Sequence, residues 1–103
     1  MSNDSPEERV ASRLRGFPQV QKVILFGSRA RGDAGFRADI DLAVDCPTAD
    51  ARVWSDIVEA AEEAPTLLKL DLVRLDRAPK ELADAIRNEG RVLYERAERQ
   101  AEV

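Results

Sequence analysis

Histidine is absent from the 103 residues, and cysteine occurs once, as Cys46. Those two facts exclude a zinc site of the usual Cys/His kind, an internal disulfide, Cys-His and Ser-His-Asp nucleophile systems, and a CxxC redox pair. Any metal held here must be a hard ion on oxygen ligands. Aromatic residues make up only 5% of the chain. With the acidic balance described below, that leaves no interleaved aromatic and basic surface, so direct nucleic-acid binding is not expected. Nothing approaches the length of a membrane span. The one candidate leader would start at Val10, and Arg9, Arg13 and Arg15 interrupt it. A lone cysteine without an apolar leader fits a reducing, cytoplasmic compartment with no membrane partner.

The length suits one compact domain over residues 1–103, with a core from about 6 to 95, and is too short for two. Acidic residues number 20 against 16 basic, a net charge of -4. Their distribution says more than their sum. Lys22, Arg29, Arg31 and Arg37 face only Asp33 between residues 22 and 37, whereas residues 39–63 carry eight carboxylates against Arg52. A basic turn followed at once by acidic residues on an apolar run points to a site for an anion accompanied by cations.

Ser5-Pro6-Glu7-Glu8 is a helix start, with serine as cap, proline at the first position and Glu8 at the third. Val10, Leu14 and Phe17 continue its apolar line, and Gly16 with Pro18 ends it. Val23-Ile24-Leu25-Phe26 reads as a strand stopped by Gly27. Ser28 is placed to cap a short helix through Ala30 and Arg31. In residues 39–44, Ile40, Leu42 and Val44 alternate with Asp39, Asp41 and Ala43, the period of a strand. Pro47 and Thr48 open a helix from about Ala49 to Ala64, with Val53, Trp54, Ile57, Val58 and Ala61 inward. A third strand runs from about Leu68 to Leu75, setting Leu70 and Leu72 opposite Lys69, Asp71 and Val73. Pro79 to Glu89 forms a last helix with Leu82 and Ile86 inward and Gly90 as its C′ residue. Val92-Leu93-Tyr94 adds an edge strand or docks on the core, and the charged tail from Arg96 reads as a frayed end. The expected class is α/β (α+β), a small mixed sheet with helices mainly on one face.

Asp39 and Asp41 leave the same face of one strand, and Asp71 sits mid-strand on the face opposite its leucines. If those strands are neighbours, three carboxylates meet within a few ångströms. Alone, such a group repels itself; a divalent cation reverses that sign. Carboxylates without imidazole or thiolate select magnesium or manganese, and phosphoryl or nucleotidyl transfer is the chemistry that uses such an ion. Gly27-Ser28 ends a strand and begins a turn whose N–H groups and hydroxyl can hold phosphate oxygens, with Arg29, Arg31 and Arg37 nearby. Trp54 and Tyr94 read first as packing residues, and Cys46 as a buried strand-end residue without a role.

Gly27-Ser28, ten intervening residues, then Asp39-Ile40-Asp41 resemble the signature of the DNA polymerase beta superfamily of nucleotidyltransferases. Within it, the chain looks like the minimal nucleotidyltransferases, small proteins paired with a helical HEPN-domain partner. The resemblance continues through Leu70-Asp71-Leu72-Val73 and Ile86 to Glu95, leaving out Met1 to about Asp4 and Ala97 to Val103. It implies a polymerase-beta-type nucleotidyltransferase fold. It also implies that Gly27 and Ser28 bind the terminal phosphates of ATP, with Arg29 and Arg31 beside them. Asp39, Asp41 and Asp71 would be catalytic and would hold Mg2+ or Mn2+. One departure is Ala38, where members commonly have serine; that removes a hydroxyl and no ligand.

The function so implied is transfer of AMP from ATP to a hydroxyl, a tyrosine of a HEPN-domain toxin, with this chain as the antitoxin. So small a core leaves little material to enclose base and acceptor, and a partner or another copy of the chain could supply the missing wall. The alternative is a non-catalytic nucleotide-binding module that silences its partner by occlusion.

Overall fold

The computed structural model describes residues 5–32 and 39–97. Helix α1 (Pro6–Leu14) starts as its sequence dictates: Ser5 Oγ accepts from the Glu8 N–H at 3.3 Å, and Pro6 sits where no helical donor is needed. Its buried line is Glu7, Val10, Ala11 and Leu14. Strand β1 (Lys22–Phe26), a single helical turn α2 (Ser28–Arg31) and strand β2 (Ile40–Asp45) follow. Helix α3 (Ala51–Glu62) begins later than the Ala49 expected beside Pro47-Thr48. Asp50 is the reason, since its Oδ1 accepts from the Val53 N–H at 2.8 Å and makes it the cap.

Strand β3 (Leu70–Arg74) is shorter at both ends than expected. The Leu68 N–H is taken by Thr66 Oγ1 at 3.1 Å, and Leu75 already belongs to a 3-10 turn, Leu75–Arg77. Helix α4 (Lys80–Glu89) and strand β4 (Arg91–Glu95) complete the described elements.

The strands form one mixed sheet in the order β3-β2-β1-β4. β1 runs antiparallel to β2 and β4, while β2 and β3 are parallel, joined through the α3 crossover. Alternation divides the core between the two faces. Val23, Leu25, Ile40, Leu42 and Val44 lie with Val10, Leu14, Ile57 and Ala61 of α1 and α3; Ile24 and Ala43 lie with Leu75, Ala83 and Ile86 on the α4 side. The two helices on the first face meet the expectation of helices mainly on one side.

Three local expectations are corrected. Leu82 is 38% exposed, and Ala83 takes the inward position with Ile86. Gly90 is extended at φ -79°, not left-handed; a Cβ there would run into Ile24 Cγ2 and the Ile86 carbonyl. The chain thus returns so close to β1 that small residues face the strand and leucine goes to the flank. Arg96 is anchored rather than frayed: its Nε donates to the Val20 carbonyl at 3.0 Å and its Nη2 to that of Phe17 at 2.9 Å.

Candidate functional site

The predicted residues gather at one end of the sheet, where β1 finishes and β2 begins. Phe26 pairs with Asp41 across β1 and β2, so Gly27 leaves the sheet beside that carboxylate. Gly27 has φ 77°, a conformation natural to glycine, and a Cβ on it would collide with Asp41 Oδ2 and stand 3.2 Å from Asp41 Cγ. The turn that follows is tight. The Ala30 and Arg31 N–H groups donate to the Gly27 carbonyl, at 3.1 and 3.2 Å, and Gly32 N–H donates to that of Ser28 at 3.1 Å. Gly27, not Ser28, is therefore the cap, because the positive φ turns the chain one residue earlier than a serine cap would. Ser28 becomes the first helical residue, and its N–H is not consumed by those turn bonds.

Asp41 and Asp71 are direct partners in the parallel β2-β3 register. The Asp41 pKa is raised above the ordinary carboxylate value. Burial is the largest cause, followed by the charges of Asp71 and Asp39; Lys69 acts in the opposite direction. Asp39 is exposed at the mouth of β2. Of the three carboxylates expected to converge, the strand register sets Asp41 and Asp71 side by side, and Asp39 stays exposed at the start of β2. Among the described residues no three candidate ligands stand as a formed metal-binding group. The donor set itself fits a hard divalent ion, with oxygen ligands only and the charges of Asp39 and Asp71 both acting on a part-buried Asp41.

Arg29 turns toward α1. Its Nε and Nη2 donate to Glu7 Oε1 at 3.3 and 3.0 Å, and both side chains are nearly buried. Arg91 at the start of β4 approaches Glu7 Oε2 at 3.6 Å. Arg31 is exposed on the turn. Asp33, Arg37 and Ala38 lie outside the described residues.

Sequence reasoning overlooked Glu7 and Arg74, although both carried a signal. Glu7 stands on the same helical stripe as Val10, Ala11 and Leu14, and Arg74 occupies the inward alternation of Leu70 and Leu72. Arg74 donates to the Cys46 and Ala49 carbonyls at 3.0 and 2.7 Å, pairs with Asp76 at 3.1 Å, and covers the Trp54 ring at 5.7 Å. Asp76 Oδ1 in turn accepts from the Cys46 N–H at 3.1 Å. This knot ties the β2-α3 connection to β3. Cys46 is buried, and burial together with Asp76 pushes its thiol up to about 11, so it stays protonated. Trp54 and Tyr94 pack against the core.

A cavity of about 190 Å³ at the β3 edge is lined by Trp54, Val58, Glu62, Leu70, Asp71 and Leu72. A larger one, about 870 Å³, lies at the far end of the sheet around Lys22, Asp45 and Glu95 and includes none of the predicted site residues.

The sequence profile of the family described as polymerase beta, nucleotidyltransferase, matches residues 8–99. The chain belongs to this family. Among solved structures, the nucleotidyltransferase is similar to a toxin-antitoxin with AMP-PNP at 28% identity and a TM-score of 0.69, over 87% of this chain and 73% of that one. The MntA-HepT toxin-antitoxin matches at 25% identity and a TM-score of 0.65, over 91% and 74%. A complex of tri-AMPylated Shewanella oneidensis HEPN toxin with MNT antitoxin matches at 27% identity and a TM-score of 0.64, over 88% and 71%. No curated protein matches the nucleotidyltransferase. Among its described residues, no helix is long and apolar enough to cross a membrane.

Proposed function

We propose that this nucleotidyltransferase transfers AMP from ATP to a hydroxyl, a tyrosine of a HEPN-domain toxin, and so acts as that toxin's antitoxin in the cytoplasm. The observation that carries the reading is the juxtaposition of Asp41 and Asp71 across β2 and β3 with the Gly27 turn against Asp41. The similar complexes, one with AMP-PNP and one with an AMPylated HEPN toxin, support the choice of nucleotide and partner.

Asp39, Asp41 and Asp71 would hold magnesium or manganese, which when bound supplies charge neutralisation for the phosphates and the leaving group. Ser28 and the turn after Gly27 hold the terminal phosphates, with Arg31 adding positive charge at the rim. Asp71 Oδ takes the proton of the acceptor hydroxyl as its oxygen bonds to the α-phosphorus. The bond from that phosphorus to the β-bridging oxygen breaks, and pyrophosphate leaves with its electron pair. The products are an AMP phosphodiester on the partner and pyrophosphate.

The test is transfer to the co-expressed HEPN partner from ATP labelled at the α-phosphate or at the γ-phosphate. The α label alone should appear on the partner. No label in either case, while the partner is still silenced, would leave occlusion as the mechanism.

A further inference from the structure

Glu7 is the buried charged residue of α1, and it lies at the same end of the sheet as the carboxylates. It joins three segments far apart in sequence: α1 itself, the α2 turn through Arg29, and the first residue of β4 through Arg91. Arg91 pairs in register with Leu25, one residue before Phe26, so both arginines bracket the point where β1 gives way to Gly27. We infer that Glu7 is a positioning residue, which sets the phosphate-holding turn against Asp41 by gripping Arg29 through two guanidinium nitrogens. The inference rests on the nucleotide reading of that turn proposed above.

The turn needs an external hold. It is a single helical turn between two glycines of positive φ, Gly27 at 77° and Gly32 at 79°, and Gly27 admits no side chain to pack. Arg29, the residue after Ser28, carries the fork that a carboxylate can fix in orientation as well as position. Fixing Arg29 fixes the backbone of the turn at Ser28, and with it the direction of the Ser28 N–H. Asp41 and Asp71, in contrast, are held by the sheet registers. Loss of Glu7 should therefore separate nucleotide affinity from metal affinity.

Electrostatics alone makes the opposite forecast. Removing a negative charge near a triphosphate tightens its binding, whereas removing the hold on the turn weakens it. The experiment compares full-length wild type with Glu7→Gln and the charge-conserving Glu7→Asp. Three quantities are measured: the Kd for AMP-PNP with magnesium, the Kd for Mn2+ alone, and hydrogen exchange of the peptide spanning residues 26–32. For Glu7→Gln we expect AMP-PNP to bind about tenfold more weakly, Mn2+ to bind as in wild type, and the 26–32 peptide to exchange faster, with Glu7→Asp intermediate. Equal or tighter AMP-PNP binding with unchanged exchange would overturn the inference.

If wild type itself binds no AMP-PNP, the functional reading fails, and exchange of 26–32 still decides whether Glu7 holds the turn. If Glu7→Gln does not fold, Arg29→Lys, which keeps the charge and loses the fork, is read by the same exchange measurement: faster exchange supports the hold, and unchanged exchange overturns it.

Discussion

The Asp41 carboxylate occupies the space that a side chain on Gly27 would need, with its Cγ 3.2 Å from where a Cβ would stand. Turn and carboxylate are therefore one unit, and glycine is required twice, for that approach and for its φ of 77°. Gly27→Ala should cost about 1–3 kcal/mol from backbone strain, lowering Tm while leaving a folded protein. Transfer should fall by about 100-fold or more, because either the turn or Asp41 must move. Melting curves beside transfer assays check this; near-normal transfer would contradict the close approach.

Asp41→Asn should stabilise the protein in chelator while abolishing transfer. The folded pKa of Asp41 is raised above its unfolded value, so the folded state holds the proton more tightly than the unfolded state does. Stability then falls as pH rises from the unfolded value of 3.8 through the raised folded one. Asp45 is raised too, by burial and Asp76, and contributes a slope of the same sign. Tm against pH in chelator should flatten, though not fully, in Asp41→Asn; an unchanged slope would show that Asp41 is not raised by its burial and its carboxylate neighbours.

Asp71→Asn separates binding from chemistry. Its proposed work arises mainly as the new bond forms, so AMP-PNP should still bind with magnesium while transfer drops by orders of magnitude. Equal losses in affinity and rate would instead make Asp71 a ground-state ligand only.

Arg74→Ala is a stability variant. It removes the partner of Asp76 and two backbone hydrogen bonds in a largely buried place. Loss of one member of a buried pair costs about 3–5 kcal/mol. Denaturant melts should show that loss, with transfer per folded molecule nearly unchanged.

Periodicity made the strands legible, because Ile40, Leu42 and Val44 alternate with residues that face the other side. The position of Asp71 followed from the same logic, and the strand register then set it beside Asp41. Hydrophobicity failed at Leu82, where close approach of the chain favoured Ala83, and at Gly90, where the constraint is contact with Ile24 rather than φ. Charge was the harder case. Glu7 and Arg74 stand at inward positions of their elements, and a reading that assigns charges to the surface passes over them. Arg29, grouped with the phosphate site because it follows Ser28, points to Glu7, which only the tertiary fold brings within reach.

The most direct measurement is the intact mass of the HEPN partner co-expressed with this chain and treated with ATP and magnesium, compared with the same complex carrying Asp71→Asn. The account predicts one or more added AMP groups with wild type and none with the variant. An unmodified partner that is silenced equally well by both proteins would contradict it.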